Sequence, residues 1–171
     1  MENKIFGIGI IGCGLIGKKR AHALGKEGLL VACADIDLKR ATSLARTSNA
    51  KVFEDWQELL KLPEVEIVVV ATLHDSLAEI TLAAIESGKY ILVEKPAARN
   101  AKELEPVVVA ANQKGVKVHV GFNHRYHRSL RKAREIIDSS ELGELMFVRA
   151  RYGHGGRVGY GPLRPDPGQR I

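Results

Sequence analysis

Two groups of residues in this 171-residue chain have the types and spacing that chemistry needs. The first is Gly12-Cys13-Gly14-Leu15-Ile16-Gly17, a GxGxxG run that follows a β-branched stretch and opens a helical one. In that setting Gly12 permits a tight turn, Gly14 lets the backbone approach a pyrophosphate, and Gly17 lets helix and strand pack closely. The amides at the helix start, Leu15 and Ile16 among them, lack intrahelical partners and attract an anion. Asp35 stands 18 residues after Gly17, at the end of the next β-branched stretch. A carboxylate there accepts hydrogen bonds from both hydroxyls of an adenine ribose, which favours NAD because a 2′-phosphate would be repelled. Lys39 and Arg40 leave NADP open, since a nearby cation accommodates that phosphate, and both also read as solvated helix residues.

The second group is Glu94-Lys95-Pro96, directly after Tyr90-Ile91-Leu92-Val93. Ligands of open α/β sheets bind beyond the carboxyl ends of the strands, so Glu94 and Lys95 project to where a nicotinamide would lie. A partly buried lysine there can act as acid or base, because an alcohol must lose a proton as its hydride departs. Pro96 would set the direction of Lys95, with a cis bond as one way of doing so. The competing reading is a solvated lysine at a strand end.

These groups need a scaffold, and the chain before residue 122 supplies one. Six β-branched runs read as strands: 5–11, 29–34, 51–53, 67–71, 90–93 and 116–121. They alternate with amphipathic segments at 15–27, 38–47, 55–61, 76–87 and 101–113, the pattern of parallel strands joined by crossover helices. Residues 67–71 are apolar at every position, as in a strand covered on both faces. Gly28, Gly88 and Gly115 each stand between a helical segment and a strand and suit left-handed helix ends, while Asn100 and Glu103 have capping-box spacing. The fold class is therefore α/β, a Rossmann-type doubly wound parallel sheet over 1–122. Beyond it, a helix at 127–138 and a strand at 145–152 read as the incomplete start of an α+β domain over 123–171.

Composition narrows the function. The chain is 45% apolar and 27% charged, and no apolar run reaches the roughly 18 to 20 residues of a membrane span, so no membrane partner is expected. The opening MENKIFGIGI does not read as a secretory signal. Cys13 and Cys33 form no CxxC or Cys/His cluster, which points to a reducing, cytoplasmic setting without a disulfide framework or metal site. Of the net charge of +6, +5 falls after residue 119. That excess includes Arg125, Arg128, Arg131, Lys132 and Arg134, a candidate nucleic-acid helix. Leu130, Ala133, Ile136 and Ile137 give the same segment an apolar face at helical spacing, so the cations read as the solvated side of a packed helix and no nucleic-acid partner is expected.

The segments GCGLIGKKRAHAL, CADID, VVVATLHDSLAEITLAAIESGKYILVEKPAA and VGFNHRYHRSLRKAREIID resemble, in order and spacing, the glucose-fructose oxidoreductase, inositol dehydrogenase and MocA-like (Gfo/Idh/MocA) oxidoreductases over about 150 residues. The resemblance implies an NAD(P)-dependent enzyme acting on a secondary alcohol or ketone of a sugar, cyclitol or nucleotide-sugar, with Lys95 catalytic. It implies cofactor contacts from the glycine loop, Asp35, Thr72, Leu73, His74 and Glu94, with Asn123, Arg125 and Lys95 facing the substrate. The family turn usually reads TPNxxH, and here Thr72-Leu73-His74-Asp75-Ser76-Leu77 replaces it, so His74 either substitutes for the asparagine or is a plain loop histidine. His22 and His119 read as packing or hydrogen-bonding residues.

The resemblance also implies a chain about twice as long, with a later Asp and His completing the site and homo-oligomers formed through the second domain. The tail GPLRPDPGQRI reads as an interruption of that domain, and turnover by these residues alone is expected to be poor or absent. A free-standing NAD(P)-binding or redox-sensing module is the alternative.

Overall fold

The structure, a computed structural model, describes residues 4–46 and 48–151. The chain divides into two compact units between His124 and Arg125. Six strands build the first: β1 Phe6–Ile11, β2 Gly28–Ala34, β3 Lys51–Phe53, β4 Ile67–Val70, β5 Tyr90–Val93 and β6 Val118–Val120. They form one sheet in the order β3-β2-β1-β4-β5-β6, with every neighbouring pair parallel. Parallel neighbours require crossovers, which α1 Leu15–His22, α2 Leu38–Ala45, α3 Trp56–Leu60, α4 Leu77–Glu86 and α5 Ala101–Lys114 provide. The strand order reverses direction between β1 and β4, as in the doubly wound Rossmann arrangement.

β4 is apolar throughout because both of its faces are covered. Val68 and Val70 join Leu59, Leu77, Ile80, Ile85 and Val107 in one core. Val69, with the opposite pleat, joins Ile8, Ile10, Leu30, Ala41 and Leu44 in the other.

Local chemistry sets most helix ends. Asp37 and Asp55 accept from the amides of Lys39 and Gln57 at the starts of α2 and α3. Asn100 accepts from the Glu103 amide at 3.2 Å, and its own amide group donates to the Glu103 carboxylate at 3.1 Å. Glu103 also accepts from the Arg99 amide. Gly88 and Gly115 adopt φ of 72° and 64° after α4 and α5. Gly28 departs from expectation: α1 already stops at His22, and Gly28 is the first residue of β2, opposite Phe6. Gly25 cuts that helix short, since glycine disfavours a helix interior and its carbonyl instead accepts from Gly28 in a turn at 3.2 Å.

The boundary between the units falls within a 3-10 turn, Asn123–Tyr126, and the second unit contains α6 Arg128–Asp138. Two expectations about that unit are corrected. Residues 145–151 carry no regular secondary structure, although a strand over 145–152 was expected. A strand needs a partner to satisfy its backbone, and none pairs with this segment among the described residues. Tyr152 and the GPLRPDPGQRI tail lie outside the described residues. Among the described residues nothing buries the apolar face of α6: no residue of the helix is buried, and Leu130 is 51% exposed. Among the described residues no helix is long and apolar enough to cross a membrane.

Candidate functional site

β1 gives way to the glycine loop because Gly12 adopts a φ of 92°, a conformation closed to most side chains. Gly12 also lies against the exit of β4, where a methyl group would stand 2.5 Å from the Ala71 carbonyl oxygen. Gly17 packs α1 onto the loop so closely that a Cβ would sit 2.0 Å from the Gly12 oxygen. Gly14 is different, with nothing within 4 Å of the position its Cβ would take. Bare backbone is therefore offered to a ligand at that point. No side chain caps α1, and its first turn holds no acidic residue. No residue of the helix itself offsets its positive end, and Leu15 and Ile16 are exposed there. Open backbone and positive potential together fit a pyrophosphate.

Asp35 follows β2 directly and is buried. Its Oδ2 accepts from the Cys13 amide at 2.7 Å and its Oδ1 from the Asp37 amide at 2.8 Å. Each carboxylate oxygen keeps a lone pair that can receive a ribose hydroxyl. Of the nearby cations, Arg40 is engaged with Asp37 at 3.3 Å. Beneath the loop, Cys13 and Cys33 are free and fully buried in one core. The hydrogen bond to Cys33 and then burial push the Cys13 thiol up, while that same bond pulls Cys33 down. Among the described residues no cluster of His, Cys, Asp and Glu could hold a metal ion.

The turn after β4 is internally bonded. The Ser76 hydroxyl lies 3.0 Å from Thr72 Oγ1 and 3.2 Å from the Leu73 carbonyl oxygen. Leu73 and His74 are exposed and Thr72 is half-buried.

At the exit of β5 the Lys95-Pro96 bond is cis. Lys95 is exposed rather than partly buried, at the tip of a tight turn in which the Ala97 amide donates to the Glu94 carbonyl at 2.9 Å. Glu94 is buried, and its partner is Arg20, a residue the sequence reading passed over. Arg20 Nε donates to Glu94 Oε1 at 2.6 Å, Nη2 pairs with the same oxygen, and Nη2 also donates to Asn123 Oδ1 at 2.7 Å. Gly121 leaves room for this: a Cβ would lie 2.9 Å from Arg20 Nη2 and 3.3 Å from Glu94 Oε1. One sequence signal pointed to Arg20. It stands three residues after Gly17, on the same face of α1 as the residue that packs on the loop.

The structure thus joins Gly12, Gly14, Leu15, Ile16 and Gly17 to Asp35, sets the Ala71-Thr72 peptide against Gly12, and links Glu94 with Asn123 through Arg20. It does not gather every expected residue. Arg125 is exposed and belongs to the second unit. His22 is exposed on α1 with Nδ1 2.6 Å from the Lys18 carbonyl oxygen.

Comparison with known proteins agrees with this geometry. The family described as oxidoreductases with an NAD-binding Rossmann fold (Gfo/Idh/MocA) matches residues 6–122. Inositol 2-dehydrogenase of Salmonella typhimurium is 31% identical over 150 residues, covering 84% of this chain and 45% of that enzyme. Trans-1,2-dihydrobenzene-1,2-diol dehydrogenase of Mus musculus is 32% identical over 150 residues, covering 85% and 45%. Myo-inositol dehydrogenase from Lactobacillus casei, solved with NAD(H) and myo-inositol, superposes with a TM-score of 0.76 at 30% identity, covering 81% of this chain and 43% of that one. The chain spans less than half the length of these relatives. Because the family match runs through all six strands, from Phe6 to Phe122, the chain belongs to the Gfo/Idh/MocA oxidoreductases and carries their NAD-binding Rossmann fold.

Proposed function

We propose that these residues are the cofactor-binding part of an NAD-dependent dehydrogenase acting on a ring carbon that bears a secondary alcohol or ketone. Sugars, nucleotide-sugars and cyclitols all fit that description. The cyclitol is favoured because the relatives above are named for inositol and for a cyclic diol, both rings with neighbouring hydroxyls. The observation that carries the reading is the hydrogen bond from the Cys13 amide to Asp35, which makes the phosphate loop and the ribose acceptor one unit.

The roles divide along the sheet. When bound, NAD supplies the acceptor or donor of hydride. Gly12, Gly14, Leu15, Ile16 and Gly17 hold its pyrophosphate and Asp35 its adenine ribose, while Thr72, Leu73, His74 and Glu94 line the half above β4 and β5. Lys95 Nζ takes the hydroxyl proton as hydride leaves, or returns it in the reverse direction. Its exposure suits a group that must reach a substrate, and Asn123 and Arg125 are the residues offered to that substrate. NAD is favoured over NADP because the Asp35 carboxylate occupies the 2′ side and Arg40 is paired with Asp37.

On this reading, residues 1–122 are the dinucleotide domain and 123–171 the beginning of a substrate and oligomerisation domain, with a homo-oligomer as the state of the longer enzyme. The cations of α6 are read as a solvated helix face, a reading supported by the pairing of Arg134 with Asp138 and of Lys132 with Glu135 along the helix. Two free, buried thiols suit a reducing, cytoplasmic setting.

NADH titration of the chain, followed by fluorescence or calorimetry, tests the proposal. Saturable binding that NAD competes for is expected. Folded protein that binds neither form would overturn it.

A further inference from the structure

We propose that Arg20 sets the balance between oxidised and reduced cofactor by neutralising Glu94. The proposal rests on the NAD-binding reading above. On that reading Asp35 would hold the adenosine end beside β2 and the glycine loop the pyrophosphate at β1, which leaves β4 and β5 for the nicotinamide end. Glu94 is the buried carboxylate at the β5 exit, 7% exposed. The oxidised nicotinamide ring carries a positive charge and the reduced ring carries none. A bare carboxylate at that place would favour NAD over NADH.

Glu94 is not bare. Arg20 Nε and Nη2 both engage Oε1, and Nη2 extends to Asn123 Oδ1 at 2.7 Å. Gly121 supplies a second, independent sign that the pair is built in, because any side chain there would crowd both the guanidinium and the carboxylate. With the pair intact, Glu94 and Arg20 cancel, and the pair itself favours neither redox form. Arg20 is thus a specificity residue supplied by α1, acting on the ring through Glu94.

The test measures Kd for NADH by fluorescence titration and Kd for NAD by displacement, in the full chain. Arg20→Gln, which leaves the carboxylate unpaired, should shift the ratio toward NAD by about three- to tenfold, the size of one uncompensated charge acting through several ångströms of partly screened protein. Glu94→Gln, which leaves the guanidinium unpaired, should shift it toward NADH by a similar factor. Arg20→Lys keeps the charge and should stay near the parent ratio, and the double variant Arg20→Gln with Glu94→Gln should return to it. A clamp that served only to hold the fold would weaken both forms together in every variant. That outcome, or an unchanged ratio in the two single variants, overturns the proposal while leaving NAD binding established. Should Arg20→Gln fail to fold by circular dichroism, Glu94→Gln and Arg20→Lys still decide it. Absence of binding to the parent chain is a different result, one that removes the NAD reading itself and this inference with it.

Discussion

The backbone amide of Cys13 donates to Oδ2 of Asp35 at 2.7 Å, although the two residues stand on different strand exits. The residue that would read the ribose therefore also anchors the loop that would hold the pyrophosphate. Losing the carboxylate should do two separable things.

Asp35→Ala should weaken NAD binding by more than tenfold and NADP binding by less, because only NAD gives up its ribose acceptor. It should also lower stability by about 1–3 kcal/mol, since the buried Cys13 amide is left without its acceptor. Asp35→Asn keeps an acceptor for that amide and should recover most of the stability. Cofactor titrations and urea denaturation read the two effects. Equal loss of NAD and NADP would contradict the ribose role.

The glycines of the loop should separate folding from binding. Gly17→Ala brings a Cβ against the Gly12 carbonyl and should cost about 1–3 kcal/mol, with a clear drop in Tm. Gly14→Ala meets open space at a φ of −70° that alanine accepts, so stability should stay within about 0.5 kcal/mol of the parent. Its NADH affinity should nevertheless fall, because the new methyl occupies the approach to the pyrophosphate. Retained affinity in Gly14→Ala would place the phosphate elsewhere.

Inside the sheet's larger core, two substitutions should act in opposite senses. Leu59 is fully buried against Val65 and β1, and Leu59→Ala should cost about 2–5 kcal/mol through lost contact and a cavity. Thr81 is buried on α4 with a hydroxyl that has no hydrogen-bond partner among the described residues. Thr81→Val should be neutral or stabilise by up to about 1 kcal/mol. Chemical denaturation measures both, and a strongly destabilised Thr81→Val would reveal a bond to that hydroxyl.

Stability should fall in acid at a definable point. The Lys51 ammonium holds Glu64 below the ordinary 4.5, Lys4 does so for Glu66, and the Arg99 amide and guanidinium do so for Glu103. Carboxyls depressed in the folded state bind fewer protons there than in the unfolded chain, so their contribution is present above 4.5 and is lost as pH drops through their lower folded values. Tm should hold from pH 7 to about 5 and decline below 4.5, less steeply in high salt because these pairs lie at the surface. A Tm that rises on acidification would contradict the assignment.

How much of this was legible beforehand depends on how local its cause is. β4 was readable because burial on both faces leaves no polar residue in it. The caps at Asn100, Gly88 and Gly115 were readable because a cap is decided within about four residues. The early end of α1 turned on Gly25, and a single glycine weakens a helix without fixing where it stops. Residues 145–151 and the apolar stripe of α6 depend on a neighbour, and sequence pattern records the need for one without supplying it. Arg20 was the largest omission because its two partners lie 74 and 103 positions away, and its spacing from Gly17 marked a helix face without naming either partner.

Gly121 donates its amide to the Val93 carbonyl at 2.8 Å, and two residues later Asn123 accepts from Arg20. The last few residues before His124 are thus stapled to the sheet beside the β5 exit. Such a staple makes a natural splice junction. Whatever polypeptide continues from that point starts from a fixed origin, so different continuations could be exchanged there, by recombination or by design, without disturbing the dinucleotide cradle.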